Sequence, residues 1–290
     1  MDAADRLRYF LESAFARMFL AGLGALPERC GRPVGRALGR LLGAVIRSRS
    51  RRAADNLRAA FPEAGEDRIA AWVRRMWTNL GEAAWEFARI PTLTREEYFR
   101  SVEVEGLDLL RDSREKGKGI ILFASHLTNW EWTTLFAAYS GFSVAAVARR
   151  MKNPSFDAFL TRVRSDHGVT IFPHRSAVRE GLRWVKEGKV LGILVDQRIT
   201  AGGVQVPFFG RPAFTTTMPA LLAIRTGAAL HGVSAHRAGG KIRIRVHPAL
   251  DSASAGGDAA VLTAEITSQV ESWIREDPPL WLWMHDRWKP

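Results

Sequence analysis

Beyond Gly117, short apolar runs alternate with segments in which apolar residues recur every three or four positions. The first pattern is typical of strands buried on both faces, and the second is typical of amphipathic helices. The strand pattern covers residues 119–124, 142–148, 169–172, 190–195, 229–235 and 241–246. The helix pattern covers residues 129–139, 154–166, 177–186, 218–225 and 259–276, and residues 201–212 are predicted to form a glycine-bearing loop. This alternation predicts an α/β fold with a mostly parallel central sheet flanked by helices.

The first part of the chain has helical periodicity up to about residue 100. Residues 7–26 form an apolar segment that Glu12 and Arg17 interrupt, and Pro27 ends it before it reaches a comfortable length for spanning a bilayer. The sequence therefore predicts helices at residues 1–52, followed by an α/β domain at residues 53–290. The first part of that domain, residues 53–116, is predicted to be a helical lead-in.

The second predicted helix carries an apolar stripe and an arginine stripe on opposite faces. The apolar stripe consists of Val34, Leu38, Leu41 and Val45, and the arginine stripe consists of Arg36, Arg40 and Arg47. Further arginines follow at positions 49, 51 and 52, and each basic residue near an anionic membrane contributes about 1 kcal/mol. The pattern fits an interfacial helix, and it fits an ordinary surface helix equally well. Together with the arginine cluster, it favours a membrane-associating N-terminal region.

The chain is strongly basic, with 42 lysines and arginines against 30 acidic residues and a formal net charge of +12. This balance favours anionic partners, which include nucleic acid, acidic phospholipid surfaces and phosphorylated substrates. Cys30 is the only cysteine, so an internal disulfide and a thiolate metal cluster are excluded. The histidines outside the strand ends show no paired ligand spacing, so no metal site is predicted.

Two of the predicted strands run directly into residues that could carry chemistry. His126 and Glu131 follow the strand at residues 119–124, and Asp196 follows the strand at residues 190–195. Reactive groups collect beyond the carboxyl ends of strands in α/β sheets. If Glu131 lies in the first turn of the next helix, its carboxylate can orient the imidazole of His126, which then acts as a general base on a hydroxyl. Spacing alone leaves a chance pairing open.

Several ordered motifs resemble those of the bacterial lipid A late acyltransferases, within the lysophospholipid and glycerolipid acyltransferase superfamily. SHLTNWE at residues 125–131 resembles the family motif of a histidine, four residues and an acid. The resemblance continues along nearly the whole chain. It includes RAADNLRAAFP at residues 52–62, RRMKNP at 149–154, DQ at 196–197, VPFFG at 206–210, TTT at 215–217 and WLWMHDRWK at 281–289.

The resemblance implies a sequential mechanism without a covalent acyl-enzyme. His126 would be the general base and Glu131 would orient it, although the family often has aspartate at this position and Glu131 reaches one methylene further. Asp196 is expected in the same cleft, where it would support His126 or position the acceptor. Asp196 also fits a structural role as a turn cap.

The resemblance also implies substrate-binding residues and partners. Arg149 and Arg164 are expected to stabilise an oxyanion or hold a phosphate, for which guanidinium groups are well suited, and surface or structural ion pairs are the alternative. Gln197 is expected to contact substrate. The donor would be an acyl-carrier-protein or coenzyme A thioester, with no metal or other cofactor. The acceptor would be a glycolipid at the cytoplasmic face of the inner membrane, held peripherally or by one N-terminal anchor in contact with anionic lipid.

Three other classes of protein fit parts of the sequence. A lysophospholipid or phosphoglycolipid acyltransferase is the nearest alternative, but the chain lacks the Glu-Gly-Thr-Arg stretch of the phosphatidic-acid branch. A serine hydrolase would need a Gly-x-Ser-x-Gly turn, and Ala145 occupies its last glycine position. A basic nucleic-acid-binding protein would explain the charge, but it would leave the strand-end residues without a purpose. No nucleic-acid partner is therefore expected.

Overall fold

The computed structural model describes residues 3–199, 202–253 and 255–289. Four long helices come first, and a short 3₁₀ turn at Ile90–Thr92 follows them. They are α1 (Ala3–Gly24), α2 (Glu28–Val45), α3 (Arg47–Ala60) and α4 (Glu66–Arg89). The predicted helical character of this region is confirmed. Ala201, at the start of the predicted loop, lies outside the described residues.

The remaining elements alternate between strands and helices. They are α5 (Arg95–Ser101), β1 (Val102–Glu105), α6 (Leu107–Glu115), β2 (Ile120–Ala124), α7 (Trp130–Tyr139), β3 (Val144–Ala148), α8 (Pro154–Asp166), β4 (Val169–Pro173), α9 (Ala177–Lys186), β5 (Val190–Leu194), β6 (Gly203–Phe208), β7 (Arg211–Thr216), α10 (Met218–Thr226), β8 (Ala229–Ala238), β9 (Lys241–Leu250) and α11 (Ala259–Glu276). A 3₁₀ turn at Pro278–Leu280 precedes the closing segment.

Seven strands form one sheet in the order β1-β9-β8-β2-β5-β3-β4. Every neighbouring pair is parallel except β8 and β9. One face packs against α9, α10, α11 and the helices α3 and α4, and the other packs against α5 to α8. The predicted α/β fold with a mostly parallel, helix-flanked sheet is therefore confirmed.

Two strand regions depart from the predicted pattern. The predicted helical lead-in contains β1, which pairs with β9 at the sheet edge. The predicted loop at residues 201–212 is largely an antiparallel hairpin of β6 and β7. Its turn residues Phe209 and Gly210 both have positive φ, 51° and 69°, as a tight two-residue hairpin turn requires. The left-handed Phe209 is held by its N–H, which donates to Glu271 Oε2 over 2.5 Å.

Helix α2 packs on α4 through glycines. A Cβ at Gly35 would lie 2.6 Å from the carbonyl oxygen of Gly81, and one at Gly39 would lie 2.0 Å from that of Trp77. The two backbones therefore approach closely, because no side chain separates them. The fully buried residues of α2 are glycines, and most of its apolar stripe is exposed: Leu41 is 59% exposed and Val45 is 70% exposed, whereas Leu38 is partly buried against Leu23 and Trp85.

Candidate active site

The centre of the site lies where β2 and β5 end side by side. Ala124 at the end of β2 pairs with Leu194 at the end of β5, so His126 and Asp196 emerge next to each other. His126 Nδ1 lies 2.8 Å from Asp196 Oδ1, and the backbone N–H of His126 donates to Asp196 Oδ2 over 2.8 Å. Trp281 Nε1 donates to the same Oδ2 over 2.6 Å. Three donors thus converge on one buried carboxylate.

This environment keeps Asp196 ionised. Burial by itself would raise the pKa of Asp196, but the charge of His126 and the hydrogen bonds from His126 and Trp281 outweigh it and lower the pKa to about 2. An ionised carboxylate at Nδ1 requires the proton to be on that nitrogen, which assigns the tautomer. Nε2 of His126 is then left as the basic nitrogen.

The other ring nitrogen of His126, Nε2, lies beside Gln197. Its Nε2 lies 3.2 Å from the side-chain amide nitrogen of Gln197, so this predicted residue adjoins the basic nitrogen. The ring of Trp130 packs at a centroid distance of 4.9 Å and limits its rotation. The side chain of His126 is 13% exposed, so the imidazole is held firmly and still reaches solvent.

Glu131 does not provide the carboxylate that binds the imidazole, and the predicted pairing of His126 with Glu131 is corrected here. Asn129 caps α7, so Glu131 lies in the first helical turn, and its carboxylate reaches α8 instead. Arg164 on α8 donates to both oxygens of Glu131 over 2.9 and 2.7 Å. Burial by itself would lower the pKa of Arg164, but the hydrogen bonds and charge of Glu131 raise it. The pair joins the two helices that cover this face of the sheet.

Arg149 follows the end of β3 at the same edge of the sheet. Its side chain is exposed, and in the described part of the chain no hydrogen bond or ion pair connects it to His126, Glu131 or Asp196. Of the predicted site residues, the structure therefore brings His126, Asp196 and Gln197 together. Glu131 and Arg164 form a second, adjacent pair.

The turn that carries His126 is held by contacts that sequence patterns did not indicate. Thr128 has φ of 51°, and it donates through its hydroxyl to the carbonyl oxygen of Ala235 and through its N–H to that of Leu280. Asn129 is buried and donates to Glu86 on α4 over 3.1 Å. Contacts to two distant segments hold the left-handed Thr128, and a third holds its neighbour Asn129. A non-glycine residue in that conformation is common at functional sites.

Glu86 belongs to a buried charged cluster that joins α2, α4 and β8. Arg237 donates to Glu86 over 2.6 and 2.9 Å, and Arg32 donates to Glu82 over 2.6 Å. Both carboxylates are only about 1% exposed. Without these arginine partners, the desolvation of each carboxylate would be strongly destabilising. The cluster fixes the N-terminal helices to the same turn that presents His126.

The closing segment also contributes to the site. Trp281 is 1% exposed and donates to Asp196, and the backbone N–H of Arg198 donates to His285 Nε2 over 3.1 Å. In the sequence this segment is a family motif, and no role for Trp281 is predicted. The run of tryptophans in residues 281–288 was the visible signal, but only the fold shows that Trp281 lies against the residues that follow β5.

These features define an α/β protein with a carboxylate-braced histidine at the carboxyl edge of a parallel sheet. The family model of the bacterial lipid A biosynthesis acyltransferases matches residues 2–290, and the chain belongs to this family. The membership confirms the resemblance seen in the motifs.

Named relatives fall into two groups. A phosphatidylinositol mannoside acyltransferase of Mycobacterium tuberculosis is 28% identical over 209 residues, which cover 70% of this chain and 66% of the relative, just under two thirds of its length. A lipid A biosynthesis lauroyltransferase of Escherichia coli is 27% identical, covering 81% of this chain and 77% of the relative. A lipid A biosynthesis myristoyltransferase of the same organism is 25% identical, covering 61% and 55%.

Proposed function

We propose that this protein transfers a fatty acyl chain from a thioester of acyl carrier protein or coenzyme A to a hydroxyl of a lipid A precursor or a related glycolipid. The observation that carries the proposal is the His126–Asp196 pair, in which the ionised carboxylate fixes Nδ1 and leaves Nε2 basic. Family membership supports acyl transfer as the reaction and favours it over nucleic-acid binding. The mannoside acyltransferase relative supports a phosphoglycolipid as the alternative acceptor.

In the proposed mechanism, His126 Nε2 takes the proton of the acceptor hydroxyl as its oxygen attacks the thioester carbonyl carbon. Asp196 stabilises the imidazolium that forms. The tetrahedral intermediate then collapses, the C–S bond breaks, and the thiolate leaves with the proton from Nε2. The acceptor oxygen keeps the acyl group in an ester bond, so no covalent acyl-enzyme is needed.

The remaining predicted residues take supporting roles in this proposal. Gln197 stands at Nε2, where it can orient the acceptor hydroxyl. Arg149 follows β3 at this edge with an exposed side chain, so it is assigned to an anionic group of a substrate. Arg164 is bound to Glu131, and both are assigned to positioning α7 and α8 rather than to direct contact with the reacting atoms.

The acceptor is tested by incubating the purified protein with one acyl thioester and a panel of acceptors. The panel contains a lipid A precursor, a mannosylated phosphoinositide and a lysophospholipid, and the products are identified by mass spectrometry. Esterification of either glycolipid supports the proposal. Transfer only to the lysophospholipid would move the protein to the alternative class, and no transfer to any acceptor from either donor type would refute the proposed activity.

The Glu131–Arg164 pair gives a prediction about positioning. Glu131→Gln and Arg164→Gln are each expected to lower kcat by about 100-fold, because either change releases α7 from α8 beside the catalytic turn. The double variant is expected to be no worse than either single variant, since both act through one contact. Steady-state kinetics of the three variants provide the measurement. Normal activity of Arg164→Gln combined with a large loss in Glu131→Gln would instead place Glu131 directly in the chemistry.

We further propose that the protein works at the surface of an anionic membrane, with α1 and α2 lying against the lipid. Large apolar side chains on both helices are exposed. They are Leu7, Phe10, Leu11, Phe15, Met18 and Phe19 on α1 and Val34, Leu41, Leu42 and Val45 on α2. Exposed arginines at positions 40, 47, 49 and 51 lie on α2 and the start of α3. None of the helices in the described part of the chain combines the length and apolar character that crossing a bilayer requires.

The glycine packing of α2 supports this orientation. An ordinary surface helix buries its apolar stripe against the domain, whereas α2 buries glycines and leaves Val34, Leu41 and Val45 of the stripe exposed. An apolar surface of this kind beside cationic side chains fits the interfacial region of an anionic bilayer. The cytoplasmic face of the inner membrane is the proposed location, since acyl carrier protein and coenzyme A thioesters would be available there.

Charge placed on this surface is expected to release the protein from lipid. Phe15→Glu combined with Met18→Glu should weaken binding to anionic vesicles by about 100-fold, because two large apolar side chains no longer enter the bilayer. Co-sedimentation with vesicles measures the effect. Val178→Glu and Val261→Glu change exposed apolar residues outside α1 and α2, which are 45% and 46% exposed, and should bind normally. Equal loss in the control variants, or no loss in the double variant, would contradict the assigned surface.

A further inference from the structure

Gly192 occupies an unusual position in the middle of the central strand β5. It pairs with Leu122 of β2 in a register that is unbroken along the strand, and with Ala146 of β3, where it is the last residue of β5 that pairs with β3. Glycine inside a strand weakens the strand, and it commonly marks a bulge, a bend or the close approach of a ligand or another backbone. No bulge is present on the β2 side, and the backbone of Gly192 is not left-handed, so neither feature accounts for the glycine.

The space above Gly192 is not filled by the protein. A Cβ at this position would meet a single heavy atom within 4 Å, the carbonyl oxygen of Ala145 at 3.7 Å. By contrast, a Cβ at Gly232 on β8 would lie 2.7 Å from the ring of Trp273, and one at Gly181 would lie 2.7 Å from Leu191. Those glycines make room for a neighbouring side chain. At Gly192, no side chain of the described chain occupies the space within 4 Å of that position.

The open space belongs to a cleft on one face of the sheet. Side chains on the α7 and α8 face are partly exposed in the second halves of β3, β4 and β5, namely those of Ala146, Ala148, Ile171 and Leu194. The first halves of the same strands are closed on this face, since Val144, Val169 and Val190 are 2% exposed or less. Leu191 and Ile193, which face the other way from β5, are also buried. The cleft is therefore open towards the carboxyl edge and closed at its inner end.

This cleft begins at the catalytic edge. Leu194 pairs with the last residue of β2, two positions before His126, and Asp196 follows Leu194 by two positions. At about 3.3 Å per strand residue, Gly192 lies roughly 13 Å inward from Asp196. The Glu131–Arg164 pair connects the two helices that cover the same face. An apolar chain whose carbonyl carbon lies at His126 can thus extend inward over Gly192.

We propose that Gly192 determines the length of the transferred acyl chain by leaving open the inner part of this cleft. The inference rests on the proposed acyl transfer and adds to it the residue that sets donor selectivity. A side chain at position 192 would project into the path of the acyl chain and shorten it. Donors whose extended chain ends before this point would still fit.

The test compares wild-type protein with Gly192→Ala, Gly192→Val and Gly192→Leu. Each is assayed for kcat/KM with decanoyl, lauroyl, myristoyl and palmitoyl thioesters on the acceptor identified above. The ratio of palmitoyl to decanoyl transfer is expected to fall progressively with side-chain size, by about tenfold or more for Gly192→Leu, since single methylene differences in an apolar pocket discriminate about 10- to 200-fold. Decanoyl transfer should stay within a few-fold of wild type.

A control variant separates selectivity from stability. Ile193→Val removes a methylene from the buried opposite face of the same strand, so it should lower the thermal midpoint and leave the donor ratio unchanged. Gly192→Ala adds the smallest side chain to ordinary strand backbone, so it keeps the test valid if a larger variant folds poorly. Donor ratios that stay at the wild-type value in folded Gly192 variants would overturn the inference while leaving acyl transfer intact. A wild-type protein with no transfer to any acceptor would instead refute the proposed function.

Discussion

His126→Ala is expected to abolish acyl transfer, with a loss of at least about 1,000-fold in kcat, because no other group takes the proton from the acceptor hydroxyl. The geometry leaves its Nε2 as the basic nitrogen, beside the side-chain amide of Gln197, with Nδ1 committed to Asp196. Single-turnover kinetics with an excess of enzyme over acyl thioester provide the measurement. They report the chemical step without the slower release of product.

The variant needs a control for folding and for general effects of losing a histidine. The side chain of His126 lies at the edge of the sheet rather than within either hydrophobic cluster, so circular dichroism and the thermal midpoint should show a folded protein. His167→Ala removes a partly exposed histidine just before β4, at the opposite edge of the sheet, and should retain wild-type activity. Full activity of His126→Ala with either donor type would remove the general-base assignment.

Asp196→Asn is expected to lower kcat by about 1,000-fold or more with little change in KM. The amide is uncharged and cannot stabilise the imidazolium, and it can favour the wrong tautomer of His126 by donating to Nδ1; the comparable substitution in the serine protease triad costs about 10,000-fold. Asp258→Asn is the matched control, because Asp258 caps α11 at the surface and asparagine caps helices equally well. A loss of less than about tenfold in Asp196→Asn would show that this carboxylate has only a structural role.

The same residue predicts how stability depends on pH. The folded-state pKa of Asp196, about 2, lies below its ordinary value of 3.8. A lowered pKa means that the ionised carboxylate stabilises the fold above about pH 4, and that this contribution is lost as the pH falls towards 2. Unfolding free energies measured over this range should therefore fall more steeply for wild type than for Asp196→Asn. Identical slopes would indicate that the carboxylate is not held ionised by His126 and Trp281.

Much of the site could be derived from the sequence because strands in a parallel sheet end at a common edge. This rule placed His126 and Asp196 at the same edge before their partners were known. It could not show that β2 and β5 are neighbours, because the two residues are 70 positions apart and strand order is a property of the whole sheet. Glu131 was therefore paired with His126 by its closeness in sequence, whereas the structure pairs it with Arg164.

The sequence by itself determined the α/β class, the helical start of the chain and the histidine at a strand end, since periodic burial and strand ends are local properties. Only the tertiary structure decided which carboxylate braces the imidazole, that β1 and the β6–β7 hairpin are strands, and which face of α2 is buried. The buried face of α2 is an example. An apolar stripe predicts burial, but glycines allow closer backbone contact with α4, so most of the stripe remains exposed. Such choices depend on the fit between distant surfaces, which no local pattern contains.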